Sequence, residues 1–243
     1  MAYNLSYKRF GERAILIEWP AIIDKNILKD IIHFKDQIYK KKIKQIVELK
    51  LAYNSLLIIY DSICRNFENE VKLLKKLYES LDLRHDIVSK LWKIPVCYDA
   101  VFGIDLEAIS MEKELSIDEI IKRHSQSTYT VYFIGFLPGF LYLGGLNKSL
   151  FVPRKATPRL KVEQGSVAIG GNQTGVYPNE SPGGWNIIGN SPVSFFDVSK
   201  KTPCFSKPGD QIIFYPITLK DHENIKILVD TGVYQMESEV IDA

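Results

Sequence analysis

Residues 129–146, YTVYFIGFLPGFLYLGGL, decide the fold of the second part of this chain. The stretch begins as a β-branched and aromatic run of strand length. It then meets Gly135, Pro138 and Gly139, which would break a lipid-facing helix and leave its backbone groups without partners. We therefore predict a strand followed by Gly/Pro turns, and not a membrane span, although the stretch is almost wholly apolar.

Three further segments rich in glycine and proline follow this stretch. They are VPRKATPR (152–159), GSVAIGGNQTGVYP (165–178) and SPGGWNIIGNSP (181–192). Aromatic and aliphatic residues are interleaved among them, whereas a flexible linker lacks such residues. We predict loops of fixed shape whose glycines let the backbone approach a ligand closely. A barrel that turns tight corners would give the same pattern, so both interpretations stand at this point.

The region around these segments predicts a mainly β domain, most simply a barrel. Six short strand-like runs are separated by Gly/Pro turns: 93–97, 128–134, 166–169, 185–188, 211–215 and 225–229. Two helical pieces precede the glycine-rich centre, the first around 104–109. The second begins at Ser116, with Glu119 three residues later as in a capping box, and ends near His124.

The composition changes abruptly near residue 90. Residues 1–90 contain one glycine and one proline, and the remainder holds all the others. The first part has strand-like runs at 14–19, 43–51 and 56–60, and two amphipathic helical patterns lie among them. We predict two domains: an N-terminal α/β open-sandwich domain, residues 1–90, and the mainly β domain, residues 91–243.

Charge, cysteine usage and the first residues limit the class of protein. The chain has 31 Lys+Arg and 29 Asp+Glu, a formal net charge of +2, so a nucleic-acid or anionic-membrane partner is not expected. Its three cysteines lie far apart without a CxxC pair, which favours neither a metal site nor a disulfide framework. Residues 1–19 contain no apolar run of signal-peptide length. We expect a cytoplasmic protein.

Arginine and histidine side chains are the charged candidates for a site. Arg154 and Arg159 flank PRKATPR, and a guanidinium presents a planar fork that suits a carboxylate or a phosphate. Two ordinary surface arginines would look the same. His124 lies at the predicted end of a helix, where it either caps or joins the core, or transfers a proton in a site.

The glycine pairs are the backbone candidates. Gly170 and Gly171 could form an anion- or amide-binding nest, with neutral hydrogen bonds nearby. The neutral side chains that follow the pair are Gln173, Thr174 and Tyr177. Trp185, directly after Gly183 and Gly184, either forms the wall of a pocket or packs in the core.

Common catalytic motifs are absent from the sequence. It contains no GxxxxGK[ST] phosphate loop, no GxGxxG after a strand, no GxSxG elbow and no HExxH. No arrangement of Ser, His and an acid indicates a self-contained hydrolase either. If the protein handles ATP, its site is unconventional.

Taken together, GFLPGFLYLGGL, PRKATPR, GSVAIGGNQTGVYP and SPGGWNIIG resemble one known family. It includes the B subunit of bacterial ATP-dependent 5-oxoprolinase, the sporulation-kinase inhibitor KipI and allophanate hydrolase subunit 1. The resemblance implies an α+β protein in which an N-terminal α/β domain precedes a cyclophilin-like β-barrel domain. This agrees with the break in composition.

The resemblance also implies an activity and partners. It implies a subunit, inactive alone, of an enzyme that uses ATP, with Mg²⁺, to open 5-oxo-L-proline to L-glutamate. The implied partners are a sister subunit with a related barrel and a third, 5-oxoproline-processing subunit. Two alternatives stay open: an inhibitor of a histidine kinase, and the carboxyltransferase part of a urea carboxylase/allophanate system. The latter ranks last, because this sequence contains neither a biotin-acceptor stretch nor a carboxylase domain.

By the same resemblance, residues of the shaped loops form a shared site. The implied catalytic residues are His124, Arg154 and Arg159. The implied substrate- or nucleotide-binding residues are Gly170, Gly171, Gln173, Tyr177, Gly183, Gly184 and Trp185. This chain departs from the family pattern at Glu163–Gln164, where relatives have VPxGSVA, and at Asn190, where they often have arginine.

Overall fold

The computed structural model describes residues 3–43, 45–64, 66–81 and 87–242. The chain divides into two compact units: the first comprises the residues up to Ile87 together with the last two residues of the chain, and the second covers Val88–Ile241.

The first unit is a four-stranded antiparallel sheet with two helices. The elements are β1 (Ser6–Phe10), β2 (Ala14–Glu18), α1 (Lys25–Lys40), β3 (Ile46–Leu51), β4 (Ser55–Tyr60) and α2 (Phe67–Glu79). The strand order is β1-β2-β4-β3. The predicted runs at 14–19 and 56–60 are confirmed as strands, whereas the run at 43–51 starts later, at Ile46, and residue 44 lies outside the described residues.

Helix α1 begins where its sequence provides a cap. The Asp24 carboxylate accepts hydrogen bonds from the backbone amides of Asn26 and Ile27. Its apolar residues then recur at helical spacing, and Ile27, Ile31 and Phe34 are fully buried in the core of this unit. Strand β1 was not predicted, because SYKRF is a largely exposed edge strand without an apolar run.

In the second unit, seven of the described strands close into a barrel. They are β5 (Val88–Cys97), β6 (Thr128–Ile134), β7 (Leu141–Gly144), β9 (Ser166–Gly170), β10 (Gln173–Val176), β12 (Asn186–Asn190) and β13 (Gln211–Ile217). The order around the barrel is β12-β9-β10-β7-β6-β13-β5, and β12 pairs with β5 to close it. The pair β13–β5 is parallel and the other pairs are antiparallel.

The remaining elements surround the barrel. They are α3 (Leu106–Lys113), α4 (Ile117–Ser125), β8 (Arg159–Val162), β11 (Ser181–Gly183), α5 (Leu219–Asp230) and β14 (Ser238–Asp242). Strands β8 and β11 pair with each other in a separate two-stranded ribbon, and β14 adds to β5. The predicted N-cap of α4 is confirmed, because the Ser116 hydroxyl accepts a hydrogen bond from the Glu119 amide at 3.2 Å.

One predicted strand is wrong. Residues 225–229 form the second half of helix α5, not a strand. Thr218 and Asp221 make a reciprocal capping box that starts the helix, and Ile225 and Val229, four residues apart, pack against the barrel core. Five residues are too few to separate an aliphatic strand from one face of a helix.

The apolar stretch 129–146 supplies β6, as the sequence predicts, and then a turn and β7, a strand that the sequence did not predict. Val131 and Leu143 are buried in the barrel core, and Tyr129 is among the largest fully buried side chains. In the part of the chain that the structure describes, no helix has the length and apolar character needed to cross a lipid bilayer.

Candidate functional site

A cavity of about 380 Å³ in the second unit brings several predicted residues together. We call it the aromatic pocket. Its lining residues are Phe136, Phe140, Tyr142, Arg154, Lys155, Pro158, Tyr177, Pro182, Gly183, Gly184 and Trp185. A larger cavity, about 640 Å³, lies in the first unit and contains none of the predicted site residues.

Aromatic side chains form the wall of the pocket. The Phe140 ring stands nearly perpendicular to the rings of Tyr177 and Trp185, at centroid distances of 5.5 and 5.6 Å. A Cβ atom at Gly170 would approach the Trp185 indole to 2.6 Å, so only glycine at this position leaves room for the indole. Gly170 therefore supports the wall from behind and does not line the pocket.

Phe136 stands at the rim of the pocket in a strained conformation. Its φ is +67°, in the left-handed region that a bulky residue rarely adopts, and its side chain is 64% exposed. Its ring contacts Phe140 edge-on at 5.7 Å. Strain of this kind costs about 1–3 kcal/mol and concentrates at binding sites. The GFLPGF motif predicts a turn here but not which residue adopts the left-handed backbone.

Two cations, Arg154 and Lys155, line the pocket, and a third, Arg159, lies behind it. Lys155 Nζ and Arg159 Nη2 both approach Oδ1 of Asp105, at 2.8 and 2.7 Å. The Arg154 guanidinium lies over the Trp185 ring, 5.5 Å from its centroid. Among the described residues, no carboxylate lies within ion-pair distance of Arg154. The pocket therefore carries excess positive charge and suits an anionic ligand.

Asp105 is the residue that sequence reasoning missed. It is buried, and its Oδ2 accepts a hydrogen bond of 2.7 Å from the Ile187 amide, two residues beyond Trp185. Burial by itself would raise the pKa of Asp105, but the hydrogen bonds from its two cations and from the backbone amide outweigh burial and lower the pKa. An acidic residue before a helix usually indicates an N-cap, yet this side chain makes no cap hydrogen bond to α3.

The two predicted arginines have different positions. Arg154 lines the pocket, whereas Arg159 lies behind it, held by Asp105 and by a 3.4 Å hydrogen bond to the Trp185 carbonyl. Arg159 thus connects the ribbon strand β8 to the loop before β12. Its place favours a supporting role over direct contact with a ligand.

His124 does not line the aromatic pocket. It is fully buried in the barrel unit, where its ring stacks on Phe214 at 4.9 Å. The Thr174 hydroxyl donates to the Ala168 carbonyl, so it accepts from His124 Nε2 at 2.9 Å. Nδ1 then accepts from the Tyr98 hydroxyl at 2.7 Å. Burial lowers the pKa of His124 to about 3, and the ring is a neutral member of the core.

The buried state of His124 predicts a pH dependence of stability. Below its ordinary pKa of 6.5 the unfolded chain binds a proton at His124 and the folded chain does not, until the pH approaches about 3. We expect the free energy of unfolding to fall by about 1 kcal/mol per pH unit from this residue between pH 6 and 5. Urea unfolding of the wild type and of His124→Gln at several pH values measures this slope. Equal slopes in the two proteins would contradict the assignment.

The nest predicted at Gly170 and Gly171 does not face the pocket. Gly171, at φ +66°, makes the turn between β9 and β10, and its amide donates to the Val152 carbonyl at 2.7 Å. Gln173 begins β10 opposite Gly170. The amide of Gly171 is thus already used within the protein and is not free to bind an anion.

The positions that depart from the family pattern form a separate network. The Asn190 amide donates to the Gln164 carbonyl, and its oxygen accepts from His222 Nε2, both at 2.9 Å. They line a different cavity, of about 420 Å³, together with Glu163. The departures therefore leave the aromatic pocket intact.

Comparison with known proteins gives a family match over most of the chain. The family described as "Carboxyltransferase domain, subdomain C and D" matches residues 5–206. The B subunit of the 5-oxoprolinase of Bacillus subtilis is 32% identical over 237 residues, which cover 93% of this chain and 98% of that protein. The corresponding B subunit from Haemophilus influenzae is 41% identical over 171 residues, 70% of this chain and 79% of that one.

Solved structures give a consistent result. The crystal structure of TTHA0988 superimposes with a TM-score of 0.73 at 30% identity. The match covers 84% of this chain but 40% of TTHA0988, so this chain spans well under half of that longer protein.

Proposed function

We propose, from the premise that the chain belongs to the family of the carboxyltransferase domain, subdomain C and D, that it is the B subunit of a 5-oxoprolinase. A 5-oxoprolinase hydrolyses the lactam of 5-oxo-L-proline to L-glutamate. The Bacillus subtilis subunit matches along 93% of the chain, and the family match over residues 5–206 includes every segment that forms the aromatic pocket.

One observation supports a role within that enzyme: the described lining of the aromatic pocket has groups for binding but no carboxylate or imidazole for acid–base chemistry. Arg154 and Lys155 provide positive charge. Among its described lining residues there is no aspartate, glutamate or histidine, and His124 is neutral in the core. Burial raises the pKa of the Tyr142 and Tyr177 phenols, so they stay protonated, and the described lining offers no carboxylate or imidazole as a base near neutral pH. We infer that another subunit supplies such a base, and that the chain is inactive alone.

The proposed reaction consumes ATP, because a lactam is a resonance-stabilised amide with a poor leaving group. In this scheme the lactam oxygen attacks the γ-phosphorus of ATP and ADP leaves. Water adds to the activated ring carbon, the C–N bond breaks and the nitrogen takes up a proton. A second water releases phosphate and gives L-glutamate. The contribution of this chain is to bind and orient an anionic reactant.

The pocket has groups that suit the phosphates of a nucleotide but none that suit its Mg²⁺ ion among the described lining residues. Arg154 and Lys155 could hold phosphate oxygens. Mg²⁺ prefers oxygen ligands, usually carboxylates, and no described lining residue carries one. If Mg²⁺·ATP takes part, its metal must be bound by the phosphates, by water or by a sister subunit.

Because the described lining of the pocket lacks a carboxylate or imidazole, we also propose partner subunits that supply one. They are a sister subunit with a related barrel and a third subunit that processes 5-oxoproline. The exposed Phe136 at the pocket rim is available for a contact with such a partner.

Reconstitution tests the proposed function. Co-expression with the sister subunits is expected to give 5-oxoproline-dependent ATP hydrolysis and release of L-glutamate, whereas the purified chain gives neither. The assembly without this chain is the control. Turnover that is equal with and without this chain, or no turnover by the complete assembly, would overturn the assignment.

A further inference from the structure

The geometry points to a specific ligand: we infer that the aromatic pocket binds 5-oxo-L-proline, a small carboxylate on a flat ring, and not the nucleotide. This inference deepens the proposed function and rests on it. It assigns the two reactants to different places in the assembly, because a single chain need not hold both.

The charged end of the pocket matches one carboxylate. A guanidinium that lies over an aromatic face keeps its N–H donors for a planar acceptor, and Arg154 lies over Trp185 in this way. Lys155 and Arg159 share the single carboxylate of Asp105, so Lys155 is only partly neutralised. It contributes a second positive charge at the lining of the pocket. This charge suffices for a monoanion.

The rest of the pocket matches an apolar ring with a hydrogen-bonding edge. Phe140, Tyr142 and Trp185 present aromatic surface on which the ring methylenes can pack. The Trp185 amide donates to the Tyr177 oxygen, so the phenol's own proton can be donated to a ligand oxygen. Burial raises the pKa of Tyr177, which keeps that proton in place at neutral pH.

Two features argue against a triphosphate. The cavity, about 380 Å³, lies near the lower end of the roughly 300–1,000 Å³ of small-molecule sites. Among the described lining residues, no carboxylate is available for Mg²⁺.

The inference is tested in the assembled complex by measuring how one substitution changes the KM for 5-oxo-L-proline and the KM for ATP. Arg154 is exposed, so Arg154→Gln is expected to fold normally, which thermal unfolding verifies. We expect the KM for 5-oxo-L-proline to rise about tenfold or more, since a charge-assisted hydrogen bond is lost, and the KM for ATP to change less than twofold. Arg123→Gln is the matched control, because Arg123 pairs with Glu119 on the surface of α4 and lies outside the pocket lining.

Direct binding separates this inference from the proposed function. By calorimetry the full chain is expected to bind 5-oxo-L-proline, and to bind 2-pyrrolidinone, which lacks the carboxylate, at least tenfold more weakly. If the assembly is inactive but the chain still binds 5-oxo-L-proline through Arg154, the proposed function is refuted and the assignment of the ligand to the pocket stands. If the assembly is active and Arg154→Gln raises only the KM for ATP, or neither KM, the assignment of the ligand is refuted and the proposed function stands.

Discussion

Asp105→Ala is expected to inactivate the assembled enzyme and to destabilise the barrel unit by about 2–4 kcal/mol. The substitution removes the shared acceptor of Lys155 and Arg159 and leaves the buried amide of Ile187 without a partner. Both cations are partly solvated, which keeps the cost below that of a fully buried pair. The loop with Arg154 would lose its anchor, and a shift of about 1 Å can cost about 100-fold in rate.

Two variants sharpen this prediction. Asp105→Asn keeps an oxygen for the Ile187 amide but loses the charge, so we expect it to lie between the wild type and Asp105→Ala in urea unfolding. Glu180→Ala removes the exposed partner of Lys161 and is expected to change stability by less than about 0.5 kcal/mol. A loss for Asp105→Ala no larger than that of Glu180→Ala would show that Asp105 does not hold the pocket together.

Gly183→Ala is the second large effect that we expect. The added methyl group would lie 2.3 Å from the Tyr177 hydroxyl, and Tyr177 is buried against Phe140 and cannot swing away. Overpacking of this kind costs about 1–3 kcal/mol. We expect a loss of this size in thermal unfolding, together with a clear rise in the KM for 5-oxo-L-proline as the phenol is displaced.

The neighbouring glycine provides the control. A Cβ at Gly184 meets its nearest atoms, in Lys155 and Pro158, only at 3.6 Å, which is ordinary contact. Gly184→Ala is therefore expected to keep its stability within about 0.5 kcal/mol of the wild type. Equal behaviour of the two variants would contradict the packing described for Tyr177.

The sequence predicted most of the second unit because its strands are short aliphatic runs between glycine and proline turns. The prediction worked where the run was long, as in 128–134. It failed at 225–229, where the capping box formed by Thr218 and Asp221 starts a helix in spite of the strand-like composition. It also missed strands such as β10, QTGV, whose pattern is weak and whose pairing with β9 and β7 defines it.

The sequence also predicted only part of the candidate site correctly. Arg154, Tyr177, Gly183, Gly184 and Trp185 were predicted together and line one pocket. The predicted residues outside it are His124, Arg159, Gly170, Gly171 and Gln173, which pack in the core, hold loops or make turns. A loop motif indicates which residues are near a site, but the side of the strand that each residue faces depends on pairing.

By itself the sequence indicated the two-part organisation and the barrel, because composition and turn residues act locally along the chain, and its four glycine- and proline-rich motifs carried the resemblance to the family. Only the tertiary structure decided which charges remain for a ligand. Asp105 meets Arg159 and Ile187, 54 and 82 residues further along the chain, and this long-range neutralisation leaves Arg154 as the free cation among the described residues of the pocket. Electrostatic balance is set by distances in space, and those distances exist only after the barrel has closed.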